Sequence, residues 1–267
     1  MLKDITIGQF FPGDSFVHKM DPRMKIIATL LFIIMLFVSG NLLGMAAGIL
    51  LLAVMYKISG IPVKMITKSL KPVVPVILFT SILNIFFVSG EVLVKFFFIE
   101  ITKEGLLLAA LMSLRILCLI AGSSLLTYTT SPIELTDAIE RLLAPLNKVK
   151  VPVHELSMMM CIALRFIPTL IEETDKIMAA QKARGADFES GKLMERVKAL
   201  VPILVPLFIS AFRRADELAT AMECRCYQGG DGRTKMKLLR YKLRDFKAFG
   251  AAALLLAAII VLRNFGL

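Results

Sequence analysis

The sequence has little of what an active site is built from. Its 267 residues include two histidines, His18 and His154, the second within "PVHEL". No HExxH, no Gly-x-Ser-x-Gly and no paired carboxylates inside an apolar run occur, so a membrane-embedded enzyme lacks its usual residues. No GxxxxGK[ST] phosphate loop is present either, so any ATP hydrolysis has to come from another chain. The four cysteines, Cys118, Cys161, Cys224 and Cys226, show no disulfide-framework spacing. "CRC" at 224–226 looks like half a metal site, but no histidine or further cysteine stands near it. Reduced small residues at a cytosolic helix end are the expectation, with no metal and no cofactor. No cleavable signal is expected either, because the first apolar run starts late and has no small-residue cleavage pattern.

What the chain has instead is apolar length. Hydrophobic residues make up 57% and the mean hydropathy is +0.75, too apolar for an ordinary soluble domain. It nevertheless carries 32 Lys+Arg against 21 Asp+Glu, net +11. Between Thr129 and Lys247 lie 20 of those basic and 15 of those acidic residues. A charged segment of about 120 residues is thus inserted between apolar spans. In an integral membrane protein such an excess of Lys and Arg marks the cytoplasmic face and anionic lipid, so no nucleic-acid partner is expected.

Ile26 to Tyr56 is apolar except for "SGN" at 39–41. As one helix its 31 residues would span about 46 Å, against a hydrocarbon core of about 30 Å. Lys19, Arg23 and Lys25 precede it, and Lys57, Lys64, Lys68 and Lys71 follow. Both flanks belong in the cytoplasm, so an even number of crossings is needed and a hairpin turning at "SGN" is predicted. The next spans are Pro72 to Val88 and Gly105 to Tyr128, joined outside through "VLVKFFFIE", 92–100, read as an interfacial stretch with a snorkelling Lys95. Arg115 is expensive in lipid; it pairs within the bundle, faces a partner or faces a watery pocket. Phe246 to Leu262 is the last span and leaves "RNFGL" outside.

The expected architecture is therefore all-α and polytopic. A cytoplasmic segment at 1–25 precedes four transmembrane helices at 26–128. A cytoplasmic or interfacial helical insert follows at 129–243, and a last transmembrane helix at 244–267. The N-terminus is expected inside and the C-terminus outside, in a cell membrane. Asp21-Pro22-Arg23, just before the first span, reads as a helix cap with Asp21 at N-cap and Pro22 at N1.

The insert opens with Ser131 as N-cap, Pro132 at N1 and Glu134 at N3. Two long helices follow. One is apolar at Leu156, Met159, Met160, Ala163, Phe166, Ile167, Leu170, Ile171, Ile177 and Met178. The other is apolar at Leu193, Val197, Leu200, Val201, Leu204, Val205, Phe208, Ala211, Phe212, Ala215, Leu218, Ala219 and Met222. Both step by threes and fours. Prolines at 168, 202 and 206 are expected to bend rather than end them. These faces carry too much charge to span comfortably and too much apolar surface to lie in water alone. An amphipathic pair pressed under the membrane or clamped to a partner fits.

The ends of the two helices align. "DKIMAAQKARGA" runs from Asp175 and "DELATAMECRCY" from Asp216. In each, Asp stands nine residues before an arginine and Ala four before it. Arg184 is followed by Gly185, a natural residue for the position after a helix end, and Arg225 soon meets Gly229 and Gly230. One such arginine is explained by the carbonyl end of a helix dipole. Two matching copies suggest plugs whose guanidinium forks enter a groove and meet a carboxylate.

With these residues in view, the chain resembles the transmembrane component of energy-coupling factor transporters, importers of the ATP-binding cassette class. The resemblance rests on the lead-in "PGDSFVHKMDPRMKI", Pro12 to Ile26, on the layout of spans and insert, and on the paired alanine-arginine-glycine-like motifs. Ala183-Arg184-Gly185 matches fully, whereas Cys224-Arg225-Cys226 keeps the arginine with small neighbours. The resemblance implies a non-catalytic coupling subunit in a prokaryotic cell membrane. Its partners would be two cytosolic ATPase subunits, docked at Arg184 and Arg225, and a membrane-embedded subunit binding a vitamin or metal ion. The Met-rich "SMMMC", 157–161, would suit a surface accepting several partners. A self-contained secondary transporter is the alternative, although apart from Arg115 and Asn84 the spans hold few polar groups for it.

Overall fold

The computed structural model describes residues 10–40, 42–96, 99–186, 193–229, 239 and 241–264. Among them are nine α-helices and one two-stranded hairpin. They fall into two compact units: a body formed by Gly8–Leu135 with Leu238–Leu267, and an insert formed by Thr136–Lys237.

In the body, α1 (Pro22–Val38) and α2 (Leu42–Ser59) form the predicted helical hairpin, broken at Ser39 and Gly40. Asn41 of that turn lies outside the described residues. Next come α3 (Val63–Leu70), a 3₁₀ turn at Lys71–Val73 and α4 (Val74–Phe87). The third apolar helical run thus starts at Val63 rather than at the expected Pro72, because Pro72 falls in the 3₁₀ turn and Pro75 in the first turn of α4, where a missing N–H costs nothing. The stretch read as interfacial is a short antiparallel hairpin, β1 (Val92–Phe96) with β2 (Ile99–Thr102). Its β-branched residues Val92, Val94, Ile99, Ile101 and Thr102 favour strands. Then α5 (Lys103–Thr129) returns, and α9 (Leu243–Asn264) closes the body. Residues 265–267 of the expected outer tail lie outside the described residues.

The bundle core gathers Met35, Leu36 and Met45 with Leu125, Tyr128 and Ile259. Glycine makes the close approaches there. The Phe32 ring of α1 is 9% exposed and lies between Gly48 of α2 and Gly122 of α5. A Cβ at Gly122 would stand 2.6 Å from Phe32 Cε1, and one at Gly48 3.0 Å from Leu36 Cδ2. Small residues letting neighbours in is how helices associate where lipid removes the hydrophobic incentive. The outer faces are apolar: on α4, Phe79 is 63% and Phe87 81% exposed. Such surface is stable in hydrocarbon and not in water. Helical runs long and apolar enough to cross a membrane are Leu42–Ser59, Val63–Phe87, Lys103–Thr129 and Val153–Ala183. The chain is an all-α polytopic membrane protein.

Arg115 is accounted for within the bundle. Its NH2 donates to Ser39 O at 2.9 Å, at the end of α1, and its NH1 approaches Met112 Sδ at 3.8 Å. A half-buried cation thus satisfies a helix-end carbonyl that lipid cannot.

The lead-in segment is bound to two distant parts of the body. Asp21 caps α1 as predicted, accepting from Arg23 N, and its carboxylate also receives Arg23 Nε at 3.0 Å and NH2 at 2.8 Å. Burial alone would raise the Asp21 carboxyl, but the Arg23 hydrogen bonds and charge outweigh it and hold it below its ordinary value. Toward α9, the Asp21 N–H donates to Asp245 Oδ1 at 3.1 Å, while Lys242 N–H donates to Asp245 Oδ2 at 2.8 Å. Asp245 is 1% exposed. It closes the N-terminal turn of α9 as the acid of a capping box and ties that turn to the cap of α1. The Arg23 guanidinium stacks 3.8 Å above the Tyr241 ring, and Arg244 NH2 donates to Lys19 O.

Toward α5, Phe11 N donates to Tyr128 O at 2.9 Å. Lys25 Nζ donates to Thr129 O at 2.8 Å, His18 O at 3.1 Å and Thr130 Oγ1 at 3.3 Å, using all three protons of an ammonium. Burial lowers the Lys25 pKa to about 8, which leaves it charged at neutral pH. His18 Nε2 meets Phe11 O at 3.0 Å. That carbonyl can only accept, so the proton sits on Nε2 and Nδ1 accepts from Ser15 Oγ at 2.6 Å.

Candidate docking site

The insert begins within α6 (Pro132–Leu143), whose expected N-cap is present: Glu134 N donates to Ser131 Oγ at 3.3 Å. A 3₁₀ segment, Ala144–Val149, leads to α7 (Val153–Ala183) and then α8 (Leu193–Glu223), each 31 residues long. Pro168, Pro202 and Pro206 all lie inside helices, as predicted. Pro206 has no N–H for the Pro202 carbonyl four residues back. The Gln181 side chain takes that place, with Nε2 donating to Pro202 O at 3.4 Å.

That bond is one of several that set the direction of the pair. Glu173 accepts from Arg214 NH2 at 2.9 Å and from Ser210 Oγ, and Tyr227 OH donates to Met158 Sδ at 3.0 Å. Partners rise along α7 as they fall along α8, so the helices run antiparallel. Ser210 and Arg214 hold the Glu173 carboxyl below its ordinary value.

The two arginine motifs end their helices in the same way. At the first, Gly185 N donates to Lys182 O and Ala186 N to Gln181 O, both at 3.0 Å. At the second, Cys226 N donates to Glu223 O at 2.8 Å and Tyr227 N to Met222 O at 3.0 Å. Both are Schellman motifs, with Arg184 and Arg225 in the same capping position. The residue after each arginine is left-handed, φ 91° at Gly185 and 55° at Cys226. The sequence pointed to Gly229 and Gly230 for the second turn; instead Cys226 itself takes the left-handed position, and Gly230 lies outside the described residues. Nothing in the sequence marks a cysteine for that conformation, which costs a side-chain-bearing residue about 1–2 kcal/mol. Cys226→Gly is therefore expected to raise stability by roughly 0.5–1 kcal/mol after glycine's greater freedom when unfolded is deducted. Gly185→Ala should lower it by about 1 kcal/mol. Thermal unfolding midpoints that shift in the same direction for both would refute the equivalence of the two caps.

Ala183, Arg184, Gly185, Cys224, Arg225 and Cys226 are all exposed. Among the described residues neither guanidinium has an ion-pair partner within its own chain. Because the helices are antiparallel, the arginines stand at opposite ends of the pair. Arg184 lies by the end of α7 that Gln181 fastens to Pro202. Arg225 is 23 residues farther along α8 than Pro202, about 35 Å at 1.5 Å per residue. The sequence did not reveal this separation. The long faces remain uncovered: Leu156, Met159 and Met160 on α7 and Phe208, Ile209 and Phe212 on α8 are each 47–68% exposed. Such a face calls for lipid or a partner. Val153–Ala183, assigned to the insert, is also apolar enough to cross a bilayer by length and composition.

Comparison with known proteins identifies the family. Residues 13–236 match the family model CbiQ, described as cobalt transport protein. A Clostridium kluyveri protein named energy-coupling factor transporter transmembrane protein EcfT is 56% identical over 264 residues, covering 98% of this chain and 97% of its own length. Proteins of the same name from Ruminiclostridium cellulolyticum and Bacillus subtilis are 53% and 47% identical, each covering 98% of this chain and 98% and 100% of their own lengths. The chain therefore belongs to the CbiQ/EcfT family, the transmembrane components of energy-coupling factor transporters.

Proposed function

We propose that this protein is the non-catalytic coupling subunit of its transporter. It passes ATP-driven movement of two cytosolic ATPase subunits to a membrane-embedded subunit that binds a vitamin or metal ion. The observation that carries this reading is the pair of exposed arginines in matching Schellman caps at opposite ends of one helical pair. A spacing of about 35 Å suits one socket on each of two related subunits better than two sockets on one. Ala183, Gly185, Cys224 and Cys226 clear space around the guanidinium forks, which meet carboxylates in the ATPase grooves. The uncovered faces of α7 and α8 carry the substrate-binding subunit.

In this reading residues 1–25 are cytoplasmic and 26–128 hold four crossings. The insert at 129–243 lies on the cytoplasmic side, and 244–267 crosses last, with the C-terminus outside the cell membrane. The lysines flanking α1 and α3 and the basic insert support that orientation. The test is reconstitution into liposomes with and without the ATPase and substrate-binding subunits. ATP-dependent uptake is expected only from the full set. Uptake by this chain alone, driven by an ion gradient, would replace the reading with that of a self-contained secondary transporter.

A further inference from the structure

The chain passes from the body to the insert within α6 and comes back after Lys237. Both joining points are fastened to the same short segment, the lead-in from Phe11 to Lys25. On the outgoing side it holds the end of α5 through Phe11 N to Tyr128 O, Lys25 Nζ to Thr129 O and Lys25 Nζ to Thr130 Oγ1. On the returning side it holds the start of α9 through Asp21 N to Asp245 Oδ1, Arg23 over the Tyr241 ring and Arg244 to Lys19 O. The residues that make these bonds are among the most buried charged groups of the chain: Asp21 6%, Arg23 9%, Lys25 5% and Asp245 1% exposed. Buried charge is costly unless it is hydrogen-bonded or paired, and every one of these groups is hydrogen-bonded.

Capping a helix requires far less. Asp21 would cap α1 just as well if its own N–H faced water, and α9 would start as well on an acid that bonds Lys242 alone. The extra bonds bring together residues 224 positions apart. They also tie in the C-terminal end of α5, 104 positions beyond Lys25. What these connections share is position: they bracket the two covalent links through which the insert can pull on the membrane helices.

We infer that the lead-in segment is the joint of the coupling subunit. It locks the outgoing and returning links together, so that displacement of the insert moves α1, α5 and α9 as one. Asp245 and Lys25 are its positioning residues, acting through backbone groups and touching neither nucleotide nor substrate. This inference rests on the coupling function proposed above.

The test uses the complete transporter, with its ATPases and substrate-binding subunit, in liposomes. Asp245→Asn keeps the shape but loses one of two N–H acceptors, and Lys25→Met keeps the length but loses three donors. Both are expected to assemble with the ATPases and to hydrolyse ATP at near wild-type rate, while substrate moved per ATP falls about tenfold. A purely structural role would lower hydrolysis and uptake together. If the two fall in proportion, or if neither moves in either variant, the joint is overturned. Hydrogen exchange on the wild-type complex decides the matter without any variant. Segments 11–25, 128–131 and 241–245 should keep common protection with and without ATP, whereas loss of protection in one of them alone would overturn the inference. A wild-type protein that binds no ATPase removes the coupling function itself and this inference with it. A complex that assembles, but whose hydrolysis and uptake stay linked in the variants, removes the joint alone.

Discussion

Glutamate at both 184 and 225 is expected to abolish co-purification of the ATPase subunits in detergent, while either substitution alone leaves a weakened complex. Removing one side of a buried interfacial charge pair costs about 2–5 kcal/mol, and reversal adds repulsion to that loss. By the usual conversion this is a weakening of roughly 30-fold to several thousand-fold. Under the proposed function a single variant keeps one plug, so partial recovery is the expected pattern. The double variant has no remaining plug. Folding should be unaffected, because both side chains are exposed and have no ion-pair partner among the described residues, and surface changes of this kind usually fall within about 0.5 kcal/mol. Equal recovery of ATPases with both arginines gone would reduce them to cations placed at the carbonyl ends of helices.

The largest stability effect expected in the body comes from a single methyl group. Gly122→Ala places a Cβ 2.6 Å from Cε1 and 2.8 Å from Cδ1 of Phe32. On its other side the ring faces Gly48 of α2, where a Cβ would stand 4.0 Å from Phe32 Cε2. Either α1 moves off α5 or the ring leaves its rotamer, at a cost of about 1–3 kcal/mol. Phe32→Leu in the same chain should restore part of that loss, although alone it opens a cavity and destabilises. Such a sign change in a double-mutant cycle is the mark of direct contact. Additive losses in thermal unfolding would mean that the two residues do not meet.

Much of this could be read from the sequence, and the reasons for the rest are physical. The hairpin at 26–56 followed from charge on both flanks, and the long helices from a period that continues through Pro168, Pro202 and Pro206. The caps at Asp21 and Ser131 are local signals, complete within four residues, and the structure contains both. The start of the third run at Val63 was hidden because α3 is amphipathic and its lysines masked its helical continuity with α4. The hairpin at 92–102 was missed because its short apolar strands look like any apolar interfacial stretch. Asp245 and Tyr241 could not be linked to the lead-in, since nothing local announces a partner 224 positions away. For the arginines, sequence supplied the residues and their likeness. It supplied neither the left-handed Cys226 nor the opposite placement, which depends on which way α8 runs beside α7.

That placement has a mechanical consequence. Under the proposed function, two attachment points on a stiff antiparallel pair make a strut of nearly fixed length, since helices resist stretching far more than bending. When the sockets at its two ends draw together, a strut cannot shorten. It tilts, or it flexes where its backbone ladder is already interrupted, at Pro168 on one arm and at Pro202 and Pro206 on the other. The Gln181 amide bonded to Pro202 O joins the two arms beside the interruption at Pro202 and Pro206.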